Sequence, residues 1–177
     1  GSVTREGFEA TWSVSQGATS DAACIDCLAG KYSEALGAVS EDTCTDCVAG
    51  KYSTTAGAAA DSACQRCGAG KYSSTEGANS TGACLDCEAG KYSTTVGATS
   101  ESVCLDCGAG KYSTTLGATL ESMCVNCGAG KYSSVVGSPS STACQDCGPG
   151  KYLESEGNDD EGDCLPCGVG KYSPDTG

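Results

Sequence analysis

Eight cysteine pairs of the form C-x-x-C recur along the chain at one interval. First members stand at 24, 44, 64, 84, 104, 124, 144 and 164, and each second member follows three residues later. Thiols at this spacing have three chemistries open to them: zinc ligation as thiolates, cycling between dithiol and disulfide, or stapling of the chain.

The spacing C-x2-C-x16-C-x2-C lies within the range of zinc ribbons, but a tetrahedral site uses two C-x-x-C pairs and imposes a 40-residue period. No such alternation is present. The residues before the second cysteines run Asp26, Asp46, Arg66, Asp86, Asp106, Asn126, Asp146, Pro166 and do not sort into two classes. Thiol redox chemistry asks for a thiolate stabilised at a helix N-terminus, whereas glycine and turn residues follow each pair here. Stapling remains, and two disulfide patterns preserve a 20-residue period. A bond inside each C-x-x-C closes a small strained ring and constrains little chain. A bond from each second cysteine to the next first cysteine closes a long loop, worth on the order of 3 kcal/mol in the loop-entropy picture. This second pattern pairs Cys27 with Cys44, Cys47 with Cys64, Cys67 with Cys84, Cys87 with Cys104, Cys107 with Cys124, Cys127 with Cys144 and Cys147 with Cys164. Cys167 then awaits a partner beyond Gly177, and Cys24 has Gly7 where its partner would stand.

The residues between the cysteines must position them, and they too recur. A Gly-Lys-Tyr triplet follows every pair, from Gly30-Lys31-Tyr32 to Gly170-Lys171-Tyr172. Pro149-Gly150 suits the two central positions of a type II turn, and Ala-Gly in most other repeats suits the same turn. The segment after it, "KYSTT" in three repeats, reads as a short strand ended by a second glycine. Tyr is the one large apolar group in every complete repeat and is expected to pack on the disulfides and nearby alanines, as Tyr52 beside Ala49. Asp26, Asp46, Asp86, Asp106 and Asp146 each precede a lysine by five residues, so an acidic row is expected beside the basic one. No pattern in the sequence calls for a contact beyond adjacent repeats.

Leu, Ile, Val and Phe supply only 20 of the 177 residues, and net charge is −13. A chain so poor in apolar side chains cannot fold on a conventional core. The 16 cysteines, about 9 % of the residues, place it among disulfide scaffolds, in which covalent loop closure substitutes for one. Such scaffolds belong to oxidising compartments, so an extracellular or cell-surface location is expected. The acidic balance, 23 Asp and Glu against 10 Lys and Arg, argues against nucleic acid or an anionic membrane as partner. No apolar run reaches the roughly 20 residues that span a bilayer, so direct membrane insertion of this segment is not expected.

The phrase C-x-x-C-x-x-G-x-Y-S-x-x-x-G, as in "CTDCVAGKYSTTAGA" from Cys44, resembles the ephrin-receptor-like cysteine-rich repeat, itself related in pattern to the small loop module of tumour-necrosis-factor-receptor domains. The resemblance covers residues 24–177. It implies the same second-to-next-first disulfides and an extracellular, elongated array.

The expected fold is thus small and disulfide-rich: a solenoid-like rod of 20-residue repeats built from short β-strands and turns. Residues 1–23, where Trp12 and Gly17 keep the phase without cysteines, read as a degenerate repeat and cap. Residues 24–177 form eight tandem repeats, the last incomplete, and the array is expected to continue beyond Gly177. The expected function is structural: a spacer, stalk or filament subunit at a cell surface, assembling with itself or a periodic extracellular fibre. An ectodomain segment of a receptor or adhesin is the alternative. The chain has no His and no nucleophile-base motif, so neither enzymatic activity nor a cofactor is expected. Asn79, in "NST", is the one N-glycosylation sequon and suggests a glycoprotein.

Overall fold

The computed structural model describes residues 24–176, so the expected N-terminal cap at 1–23 lies outside the described residues. In each of the first seven repeats a Gly-Lys-Tyr turn launches a strand, a loop follows, and a single 3-10 turn delivers the chain to the next first cysteine. Seven two-stranded antiparallel sheets result. In the first, β1 (Lys31–Tyr32) pairs with β2 (Thr45–Asp46) in the register Lys31 to Asp46 and Tyr32 to Thr45. The same register returns every 20 residues, to Lys151 opposite Pro166.

The launching turn has the geometry its residues favour. Lys51 N–H donates to Val48 O at 3.1 Å, and Gly50, third of the four residues, has φ +79°. Around Pro149-Gly150 the equivalent bond runs from Lys151 N–H to Gly148 O.

The strands are shorter than "KYSTT" suggests, because only Lys and Tyr pair. Each ladder's partner is the dipeptide held between two cysteines, which offers two rungs only. The following serine leaves the hairpin: Ser53 N–H donates to Ala78 O in the next repeat. Its hydroxyl oxygen accepts from Thr55 N–H, so this side chain satisfies itself although only 1 % exposed.

The 3-10 turns, such as Glu41–Thr43, are an addition to the expected strands and turns. Their signal was in the sequence. The residue four before the first cysteine is Ser40, Ser80, Ser100, Ser140 or Asp160 in five of the seven turns, all types that cap a helical turn. Ser40 Oγ accepts from Asp42 N–H, and Asp160 closes a full capping box with Asp163.

What is buried is small. The second cysteines from Cys47 to Cys147 are 0–1 % exposed, and Ala58, Ala78, Ala98 and Ala118 and the serines from Ser53 to Ser133 are buried as well. Tyrosines are mostly half-buried and join the next repeat by backbone, as in the parallel bridge from Tyr72 to Ala98. Leu153 replaces the serine once and forms a local apolar cluster with Cys147, Cys164 and Tyr132.

One expectation is corrected: repeats touch beyond their neighbours. A methyl group on Gly50 would strike the carbonyl of Gly97, two repeats on, and the same approach recurs from Gly30 to Gly77 and Gly70 to Gly117. The glycines that make the turn also let the backbones meet. Each repeat therefore meets the next two in the same way, which produces an elongated, solenoid-like rod.

Candidate functional site

Seven disulfides link Cys27–Cys44, Cys47–Cys64, Cys67–Cys84, Cys87–Cys104, Cys107–Cys124, Cys127–Cys144 and Cys147–Cys164, each with a sequence separation of 17 and Cα atoms 5.5–5.8 Å apart. Of the two patterns compatible with a 20-residue period, this is the one that closes the long loops. Cys24 and Cys167 are free thiols. The second cysteine of each pair is a junction in backbone as well as in sulfur. Cys67 N–H donates to Gly50 O of the preceding repeat at 2.9 Å, and Cys67 O accepts from Gly97 N–H of the following one at 2.8 Å. One residue thus ties three consecutive repeats. Among the described residues no group of three or more His, Cys, Asp or Glu is placed to hold a metal ion.

The lysine row from Lys31 to Lys151 is neutralised by a rule with two clauses. Lys31, Lys71, Lys91 and Lys131 pair across the hairpin with Asp46, Asp86, Asp106 and Asp146, fifteen residues ahead; the first three distances are 2.9, 2.5 and 2.7 Å. The aspartates five residues before each lysine are not the partners, because the hairpin joins each lysine to the following repeat. Where the cross-strand residue is Arg66, Asn126 or Pro166, the lysine turns to the acid that opens the 3-10 turn, ten residues ahead: Lys51 to Asp61, Lys111 to Glu121, Lys151 to Glu161. Conversely, the two repeats with Thr81 or Ser141 at that place keep the cross-strand aspartate. Lys91 has acids at both places and is held above its ordinary value of 10.5, chiefly by its hydrogen bond to Asp106. Partial burial opposes this, and the charges of Asp106, Glu101 and Glu88 add to the rise.

Two cations among the described residues stand outside ion pairs, Arg66 and Lys171. Arg66 lies along Gly97 and lines an open groove of about 650 Å³ with Tyr52, Lys71, Leu85 and Asp86 among its walls. Asn79 is exposed in the same repeat, next to Ser80 and Thr81 at the start of a 3-10 turn. A row of half-exposed apolar residues stands cross-strand from tyrosine: Leu85, Leu105, Val125 and Leu165, each 51–54 % exposed. Neither the groove nor this row was legible beforehand, since both depend on which residues face one another across the hairpins.

No helix among the described residues is long and apolar enough to cross a membrane. No protein-family model matches the chain, and no curated protein matches it.

Proposed function

We propose that the chain is an extracellular structural array of ephrin-receptor-like repeats, serving as a spacer, stalk or filament subunit at a cell surface. The observation that carries this reading is the uniformity of the junctions. The same disulfide, the same cysteine-centred hydrogen bonds and the same glycine approach return every 20 residues. Such a surface suits a periodic partner or further copies of the chain. Seven stapled loops support an oxidising compartment, and the paired lysines leave little free positive charge for a polyanion.

The test is in-register deletion with localisation. Removing Cys84 to Val103 lets Cys67 take Cys104 as partner, and the shortened protein is expected to reach the cell surface and enter the same assembly. Retention of the protein inside the cell, or loss of assembly on removal of any single repeat, would overturn the structural reading. Asn79 in native eukaryotic material is expected to carry a glycan, read by mass spectrometry.

The receptor or adhesin reading has one observation in its favour, the unpaired Arg66 in its groove. It requires that deleting Cys64 to Ala83 abolish partner binding while deleting Cys104 to Met123 does not.

A further inference from the structure

We propose that the array is a tether of fixed maximum length, carrying tension along a covalent spine that leaves most of the polypeptide out of the line of force. The inference follows from which cysteines are joined, and it holds whether or not the cell-surface role is correct.

Tension entering before Cys27 and leaving after Cys164 meets two covalent routes in every repeat. One is the loop backbone, for example from Cys47 through Lys51, Tyr52 and the 3-10 turn to Cys64. The other is the disulfide, whose Cα atoms are 5.6 Å apart. The loop route has a sequence separation of 17, which corresponds to about 60 Å of extended chain. The shorter route becomes taut first, so the loop stays slack at any force the disulfide survives. Between one disulfide and the next the only covalent connection is a dipeptide, from Thr45–Asp46 to Gln145–Asp146, and these are the second strands of the hairpins. Each linking segment, from first to second cysteine, reaches about 11 Å when straight.

The taut spine therefore measures about 17 Å per repeat, whereas an unbridged repeat extends to about 70 Å. The inter-repeat hydrogen bonds at Cys67 and the glycine approach at Gly50 set the resting shape and give way first. The spine then limits the travel. Neither alternative pairing does this: bonds inside each C-x-x-C would leave every loop in the line of force, and first-to-first bonds would break the uniform step.

Single-molecule pulling on the whole chain tests this, with handles attached through peptide tags at both ends because Cys24 and Cys167 are free thiols. Without reductant, the Cys27-to-Cys164 span is expected to stop at about 100 Å. Dithiothreitol supplies two electrons and two protons to each bond, leaves two thiols and closes to its own cyclic disulfide. Under tension it is expected to release seven equal steps of about 55 Å, for a final span near 500 Å, about a fivefold increase. The Cys107→Ser, Cys124→Ser double variant should begin one step longer and show six. An unreduced chain that runs out to the full length, or steps of unequal size, would overturn the tether. Retention of the protein inside the cell would overturn the proposed cell-surface role but leave these extensions unchanged.

Discussion

Gly50 and Gly37 share a backbone conformation but not a neighbourhood. Both have positive φ, +79° and +67°, yet a Cβ on Gly50 meets the Gly97 carbonyl while one on Gly37 meets nothing within 4 Å. Gly37→Ala is therefore expected to cost only the conformational strain, on the order of 1 kcal/mol. Gly50→Ala adds displacement of the repeat two places on, for on the order of 3 kcal/mol in all. Amide exchange separates the two: Cys67 and Gly97 N–H should exchange faster in the Gly50 variant and stay unchanged in the Gly37 variant. The lysine row offers a second paired test. Asp61→Asn leaves Lys51 opposite Arg66 with no acid at either of its two positions, whereas Asp106→Asn leaves Lys91 its Glu101. Both pairs are partly exposed, so losses of at most about 1 kcal/mol are expected, larger for Asp61→Asn at low salt and vanishing in concentrated salt. Equal losses would contradict the two-clause rule. Since Lys91 is raised in the folded chain, its contribution is fully present below the ordinary value of 10.5 and lost as pH climbs through the raised one. Lys91 should accordingly titrate at lower pH in Asp106→Asn.

The stapled hairpin is the unit of the next scale. Each one has two rungs, an exposed outer surface and a disulfide at its base, so the disulfide rather than the ladder is expected to dominate its stability. Replacing Cys107 and Cys124 by serine removes about 3 kcal/mol of loop constraint. It should loosen 108–123, visible as lost exchange protection at Lys111 and Tyr112, while the hairpin at Lys71–Tyr72 keeps its protection. Global unfolding on loss of this one bond would show that the hairpins are not separate units. The pairing and the turn were legible because they follow from period and from glycine and proline chemistry, which are local. Strand length was not: whether Ser53 continues a hairpin or crosses to Ala78 is decided by the neighbouring repeat, not by the propensity of "YSTT". The lysine partners were missed for a related reason. Counting back five residues to Asp46 from Lys51 stays within one repeat, while the fold pairs Lys51 with residues ahead of it.

At the scale of the molecule, the elongated array was legible because the cysteines, the glycines and the Lys-Tyr pair return at one interval, and a structure that repeats without insertion must grow by a constant step. The two-repeat contact escaped because its signature is the absence of a side chain, and glycines needed for turns concealed glycines needed for close approach. The loop closures have a further meaning for wear. A sequence separation of 17 between bonded cysteines, in a 20-residue period, means that seventeen of every twenty peptide bonds have a sulfur detour around them. Hydrolysis of any one of them leaves the molecule in one piece. A protease recognition sequence inserted between Thr75 and Glu76, both exposed, should yield a nicked protein that migrates as a single species until reductant separates it into two. The same insertion between Gln65 and Arg66 should sever it outright. Fragments that part without reductant in the first case would refute the detour. The vulnerable three bonds per repeat lie in the C-x-x-C segments, whose central pair is exposed but paired as a strand, so the rod can be severed at only three of the twenty peptide bonds in each repeat.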